Sequence, residues 1–478
     1  MVSVASALEQ LRVIAQSQPV YRLADAFSAA GHEFALVGGP VRDAMLGRAL
    51  KDLDFTTSAT PDQIESVIAP MAEAIWDVGR QFGTIAARID GETVEITTYR
   101  ADSYASDSRK PEVVFGTSLA EDLIRRDFTI NALALRLPEM KLEDVNTGVD
   151  DLLAGQIRTP ASPEISFTDD PLRMLRAARF SAQLGFEVVP EVQHAMSEFA
   201  ERLEIISAER IRDELNKLLL TADPVPGLRL LVDTGLAELF LPEFTALRAT
   251  QDEHARHKDV YEHSLKVLEQ AIELEHERAN GAVKPDLVLR LAALLHDIGK
   301  PSTRRFESGG VTFHHHDVVG AKLAKKRLTK LRYDNETIKA VCRLIELHLR
   351  FFGYGDQGWS DSAVRRYVRD ADSQLERLHI LTRADVTTQN VRKAQRLEFA
   401  YDDLEARIEQ LSEEEELKAV RPDLNGEEIM RILQLPPGRE VGRAYAYLLE
   451  LRLDEGALGA AEAEARLRAW AQAEGIGQ

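Results

Sequence analysis

At 478 residues the chain exceeds what one hydrophobic core normally serves, so two to four domains are expected. Its 79 Asp and Glu against 59 Lys and Arg leave a formal charge of −20, which disfavours a uniformly basic nucleic-acid surface and leaves only local basic stripes for such a role. The single cysteine, Cys342, excludes an intrachain disulfide and a cysteine-rich zinc site and fits a reducing cytoplasm. Basic residues concentrate at Arg125-Arg126, at Arg173, Arg176 and Arg179, and from Lys322 to Arg332.

In chain order, residues 1–32 read as amphipathic helix, followed by a short apolar strand over 34–37 that meets Gly38-Gly39. A second strand carries Leu53 and Phe55 between Asp52 and Asp54. Thr60-Pro61 supplies an N-cap and a first-turn proline, predicting a helix over 62–74. Asp90-Gly91 predicts a hairpin turn between strands over 83–88 and 93–97. The first 150 residues are therefore mixed α and β. Beyond about 158 strand signals nearly vanish, and apolar residues recur at helical spacing through 172–180, 211–220, 287–295 and 341–349. Breaks are expected at Pro224 and Pro226, at Gly309-Gly310, from Gly353 to Gly358, and at Pro436-Pro437-Gly438. The most apolar run, 287–295, is interrupted by Arg290, and the first eleven residues lack a basic stretch leading into an apolar core. Neither export nor membrane insertion is expected.

The residues with most chemical content lie early. A D-x-D on a strand places both carboxylates on one face with Cα atoms about 7 Å apart, a reach suited to Mg²⁺, and Asp52 and Asp54 have that spacing. Gly38-Gly39 after a strand lets backbone N–H groups approach phosphate oxygens, and Arg42 stands near enough to pair with one. Glu95, in Val94-Glu95-Ile96, is a further carboxylate that an inward orientation would add to the metal shell. A Gly-Gly pair alone is usually a turn and a lone D-x-D a solvated edge. In this order and spacing they point to nucleotidyl transfer, with Asp52, Asp54 and Glu95 as catalytic carboxylates.

Gly38-Gly39-Pro40-Val41-Arg42-Asp43 with the D-x-D, then Arg125-Arg126-Asp127-Phe128-Thr129-Ile130-Asn131-Ala132, resembles the bacterial and eukaryotic class of CCA-adding tRNA nucleotidyltransferases, in the poly(A) polymerase superfamily. Asp169-Asp170-Pro171-Leu172-Arg173 is similar to that family's E-D-x-x-R motif, with Asp169 in place of the usual Glu, and 209–215 resembles its last motif. The resemblance implies a polymerase β-like α+β head, Mg²⁺ as cofactor, CTP, ATP and tRNA as partners, and a base-reading role for Asp170 and Arg173. It also implies that Arg126, Arg176 and Arg179 hold triphosphate or ribose, and that the polar stretch 104–111 is a mobile loop. Val78-Gly79-Arg80-Gln81-Phe82-Gly83-Thr84 resembles the CCA-adding branch more than the poly(A) polymerases.

His263, His296-Asp297, His348 and Asp385 reproduce the order of the HD phosphohydrolase superfamily, with His316 as a further ligand or phosphate contact and His348 as a ligand for a second metal. Imidazole with carboxylate suits Mn²⁺, Ni²⁺, Fe or Zn²⁺. The expected domains are a nucleotidyltransferase head over 1–157, a helical nucleotide-recognition and RNA-binding neck over 158–245, an HD helical bundle over 246–400 and a helical tail over 401–478. The expected activity is template-independent CCA addition in the cytoplasm. An HD phosphohydrolase with a vestigial head, a poly(A) polymerase, and a CC-only or A-only enzyme are the competing readings, and monomer or homodimer is left open.

Overall fold

The computed structural model describes residues 4–49, 52–100, 116, 118–249, 259–279, 281–282, 284–307, 310–354, 359–387, 390–415 and 421–476. The chain forms two compact units, Met1–Phe240 and Leu241–Gln478. The 104–111 stretch, Lys51, Gly309 and Gly355 to Gly358 lie outside the described residues.

The first unit is built on a seven-stranded sheet: β1 Phe34–Val37, β2 Leu53–Thr57, β3 Ala74–Trp76, β4 Thr84–Ile89, β5 Glu92–Thr98, β6 Leu133–Leu137 and β7 Lys141–Asp144. Its order is β3-β4-β5-β2-β1-β6-β7. Only the β2–β5 pairing is parallel; the rest are antiparallel. All four residues of β1 are buried, and Phe34 stacks on Phe27 at 4.4 Å and Phe55 at 4.7 Å, fixing the helix Gln18–Ala29 to the sheet.

The β4–β5 hairpin turns where expected, with Asp90 at φ 52° and Gly91 at φ 80°, the pair of positive values that matches the strand twist. Two expectations are corrected. The N-terminal helix is two, Val4–Ala15 and Gln18–Ala29, because Ser17 is extended and Pro19 opens the second. The predicted 62–74 helix runs only Pro61–Ile68; Pro70 lacks the N–H a continuing helix needs, and Ala74–Trp76 joins the sheet as edge strand β3. The Thr60 cap is present and closes a capping box with Gln63.

The neck helices Leu172–Leu184, Ala208–Leu219 and Val225–Asp233 pack together in the same unit as the head. Gly227 allows the close approach: a Cβ there would come within 2.5 Å of the Ala178 carbonyl oxygen. Strand structure beyond 158 is confined, among the described residues, to a two-residue pairing of Gln156–Ile157 with Glu187–Val188 and a hairpin of Arg305–Glu307 with Gly310–Thr312.

The second unit is helical. Val260–Arg278, Leu287–Leu295, His316–Lys330, Asn335–Leu347 and Leu375–Ala384 form the bundle that carries the HD residues. Arg290, which interrupts the apolar run, is fully buried and paired with Glu275 at 2.6 Å, so its charge is matched inside the bundle. The helix Val391–Glu415 passes through the position expected to separate HD domain from tail. The last three helices, Gly426–Leu433, Arg439–Glu455 and Ala460–Glu474, gather a core of their own around Ile429, Leu448 and Leu467. No helix among the described residues is long and apolar enough to cross a membrane.

Candidate active site and metal centre

β2 and β5 lie parallel with Asp54 opposite Glu95, so the two carboxylates share one face of the sheet. Asp52 sits just before β2, which starts at Leu53, and is exposed; Asp54 is half-buried and Glu95 exposed. Burial, then the neighbouring Glu95 and Asp52, push the Asp54 carboxyl up to about 6, while Arg126 pulls the other way. Glu95 and Asp52 thus add to the cost of ionising Asp54, a cost that a divalent cation at this face would relieve.

Gly38 ends β1 at φ 71°, and Gly39 opens the helix Gly39–Met45. A Cβ on Gly38 would stand 3.2 Å from Nη1 of Arg126, so the bare backbone turn and the guanidinium occupy adjacent positions. Arg126 Nη2 donates to Asp122 at 3.1 Å. Asp122 is fully buried and also accepts from Arg125; although burial acts to raise its carboxyl, Arg126 and Arg125 hold it below the usual range. Its place three and four residues before the two arginines is a sequence signal that motif reading passed over.

Arg42 is buried rather than reaching into solvent. It donates to Asp43 at 2.8 Å and Asn131 at 2.7 Å, and its guanidinium lies 5.2 Å from the Phe180 ring. Arg176 and Arg179 flank the same ring at 5.5 and 4.1 Å. Arg176 is bound by Asp127 at 2.7 Å and Arg179 by Glu214 at 2.6 Å. Burial alone would raise Asp127; Arg176 and the Asn131 amide reverse that and hold it at about 2. Three guanidiniums around one aromatic face, each with its own acceptor, join the glycine block, the Arg125–Ala132 block, the Leu172 helix and the last motif in one network. Phe180, Asn131 and Glu214 are its fixed points, and no spacing rule in the sequence singles them out.

Asp170 lies outside the helix that carries Arg173. The helix Leu172–Leu184 begins only after Asp170, whose backbone is extended and whose Oδ1 accepts from the Leu172 N–H at 3.1 Å. Pro171 forces the break, since the residue before a proline avoids helical backbone. Their backbones are linked by a turn, the Arg173 N–H donating to the Asp170 carbonyl at 3.0 Å, while the side chains take different partners. Asp170 Oδ2 accepts from Arg210 at 3.1 Å, and Arg173 donates to Ser166 Oγ at 3.0 Å and the Arg125 carbonyl at 2.5 Å.

In the second unit all six HD residues meet. Ligand atoms of His263, His296 and Asp385 lie within 4.8 Å of one another, as do those of Asp297, His316 and His348. His296, His316 and His348 each turn Nδ1 to the carbonyl three residues before, at 2.9, 2.8 and 2.5 Å, which orients Nε2 toward the centre. None of those three buried Nε2 atoms makes a well-aligned hydrogen bond, although those of His296 and His316 lie 3.2 and 3.3 Å from the Asp297 carboxylate. Burial, then His296, pushes His348 down to about 4, keeping its imidazole neutral as a ligand must be. Imidazole nitrogens converging on the buried Asp297 and the partly buried Asp385 fit a divalent transition metal. Lys300, unremarked in the sequence, lies 2.9 Å from Asp297 Oδ2.

Comparison with known proteins matches three family models: the poly A polymerase head domain over 34–158, the probable RNA and SrmB-binding site of polymerase A over 185–247, and the HD domain over 260–390. The chain is 33% identical over 449 residues to an A-adding tRNA nucleotidyltransferase of Deinococcus radiodurans, covering 92% of this chain and 95% of that one. It is 44% identical over 216 residues to the CCA-adding enzyme of Levilactobacillus brevis, covering 45% of this chain and 53% of that protein. The chain thus matches about half the length of that CCA-adding relative. Among solved structures, the Bacillus stearothermophilus CCA-adding enzyme in complex with CTP shares the fold with a TM-score of 0.69 at 23% identity, over 96% of this chain and 99% of that one. The Thermotoga maritima CCA-adding enzyme complexed with tRNA shares it with a TM-score of 0.61 at 19% identity, over 98% of each chain. With one relative aligned over nearly its whole length and the head, RNA-binding and HD models matched in order, the chain belongs to the tRNA nucleotidyltransferase family.

Proposed function

We propose that this chain adds C, C and A to tRNA 3′ ends from CTP and ATP, releasing pyrophosphate, without a nucleic-acid template and in the cytoplasm. The observation that carries the reading is the Asp54–Glu95 pair, registered across β2 and β5 beside the Gly38 turn and Arg126. In this reading the triphosphate lies against the Gly38-Gly39 backbone and Arg126, and the tRNA 3′ hydroxyl attacks the α-phosphate. Mg²⁺ held by Asp52 and Asp54 supplies charge neutralisation there. Asp170 and Arg173 read the base: an acceptor beside a guanidinium fork matches cytosine and adenine edges, and the base takes over hydrogen bonds that Arg210 and the Arg125 carbonyl now fill. Arg42, Arg176 and Arg179 hold this wall in place through Phe180 rather than meeting phosphate directly.

Three tRNAs, ending before the first C, after one C and after both, each supplied with CTP or ATP alone, test the specificity. CTP should extend the first two and ATP the third. Extension of only the third substrate would make this an A-adding enzyme, the activity named for the Deinococcus relative.

The two HD ligand sets support a second activity in the same chain, hydrolysis of a phosphomonoester or cyclic phosphodiester at a divalent transition metal, with RNA ends as substrates that would restore the hydroxyl the head extends. Asp297→Ala should abolish metal-dependent phosphatase activity and leave CTP incorporation intact. Loss of both, or of neither, contradicts that reading.

A further inference from the structure

One cleft of the head adjoins the site above, shares Glu95 with it and has no occupant in that scheme. It measures about 460 Å³ and is lined by Trp76, Val78, Phe82, Thr84, Glu95 and Arg100. Trp76 and Phe82 are 44% and 41% exposed and Val78 is 86% exposed, an unusual apolar surface beside a carboxylate. Strand register explains its position. Trp76 pairs with Ala86, Ala86 with Glu95, and Glu95 with Asp54, so the four residues make one row across β3, β4, β5 and β2 on a single face. The small Ala86 leaves a depression between the indole and Glu95. At about 4.8 Å per strand, Trp76 lies roughly 14 Å along the row from Asp54, a span that a nucleotide and its base can bridge.

Chemistry assigns the occupant. In phosphoryl transfer the attacking and leaving oxygens lie roughly in line through the reacting phosphorus. The leaving pyrophosphate is marked by the Gly38 turn and Arg126, which follow β1, on one side of the Asp54–Glu95 pair in the strand order. The attacking hydroxyl must then arrive from the other side, where β5, β4 and β3 carry the cleft. Aromatic faces flanked by a cation are the usual platform for an unpaired base, and Arg100, bonded to Thr84 at 3.2 Å, provides positive charge at the wall. Gly79 shapes the rim, since a Cβ there would meet the Thr84 Cβ at 2.9 Å.

We infer that this cleft seats the 3′-terminal nucleotide of the RNA acceptor, its base stacked on Trp76 and Phe82 and its 3′ hydroxyl directed along the row to Glu95 and Asp54. The inference rests on the nucleotidyl-transfer reading and makes Trp76 and Phe82 positioning residues for the acceptor.

Trp76→Ala, Phe82→Ala and Trp76→Phe in the full chain test it by steady-state incorporation, with tRNA and CTP varied separately, and by fluorescence on adding a short single-stranded RNA ending in CC. The alanine variants should raise KM for tRNA about tenfold and leave KM for CTP within twofold. Trp76→Phe should retain activity and lose the RNA-dependent quench. A rise in KM for CTP with that for tRNA unchanged would make the cleft the incoming base's site and overturn the proposal, as would no change in either. A wild-type protein that shows the Trp76-dependent quench but incorporates nothing would defeat the nucleotidyl-transfer reading while leaving the cleft an RNA-end site.

Discussion

Asp127 shows how much of the site is held by charges that never meet substrate. Its carboxylate receives Arg176 and the Asn131 amide, and Asn131 in turn receives Arg42, so one acidic side chain ties two arginine blocks together. Asp127→Asn removes the nearer of the two carboxylates facing Arg176, leaving only Glu214 at 4.0 Å, and should cost roughly 2–3 kcal/mol of stability, read as a lowered urea midpoint with reduced CTP incorporation. Because the folded carboxyl is held at about 2, below its ordinary 3.8, its contribution is present above pH 3.8 and lost as pH falls toward 2. The Asn variant should therefore lose less stability than the wild type across that interval. Arg126→Ala should raise KM for CTP and ATP by ten- to a hundredfold, since Arg126 is the cation beside the Gly38 turn. Unchanged KM for both would move the triphosphate elsewhere.

At the scale of elements, the turn after β1 is the most demanding. Gly38→Ala must hold a side chain at φ 71° and press its Cβ on Arg126 Nη1 at 3.2 Å. It should lower incorporation at least tenfold while the far-ultraviolet circular dichroism stays that of the wild type. The neighbouring elements divide by how local their determinants are. The β4–β5 hairpin and the Thr60 N-cap were legible because Asp90-Gly91 and Thr60-Pro61 act over two to four residues. The end of the helix at Ile68 was readable in principle from Pro70, yet the run of favourable residues around it pointed to a longer helix. The edge strand Ala74–Trp76 was not legible: three residues carry too little periodicity, and pairing with Arg88, Ala87 and Ala86 decides it. Asp170 is extended because Pro171 follows it, a local determinant that the sequence shows directly.

For the whole molecule, short motifs were easier to read than domain edges. The D-x-D pair, the glycine turn and the HD histidines were visible because each is a short pattern of chemically restricted residues. Asp122 was readable in principle from its i+3 and i+4 arginines, whereas Glu214 and Phe180 were not, because they are common residue types that meet Arg179 and Arg42 across long sequence separations. Head and neck fold as one compact unit, while the helix Val391–Glu415 runs past the expected HD boundary. The −20 charge, which argued against a nucleic-acid partner, was a poor guide, since net charge says nothing of where the arginines cluster, here in one unit with their own carboxylates. The central claim is that Asp54, beside Asp52 and Glu95, works the transfer of nucleotides to a tRNA end. It is tested most directly by following labelled CMP incorporation into tRNA lacking its 3′ CCA, in wild type, Asp54→Ala and Asp297→Ala. A loss of at least a thousandfold in the first variant, with the second unimpaired, is the predicted result; incorporation that survives Asp54→Ala would contradict the account.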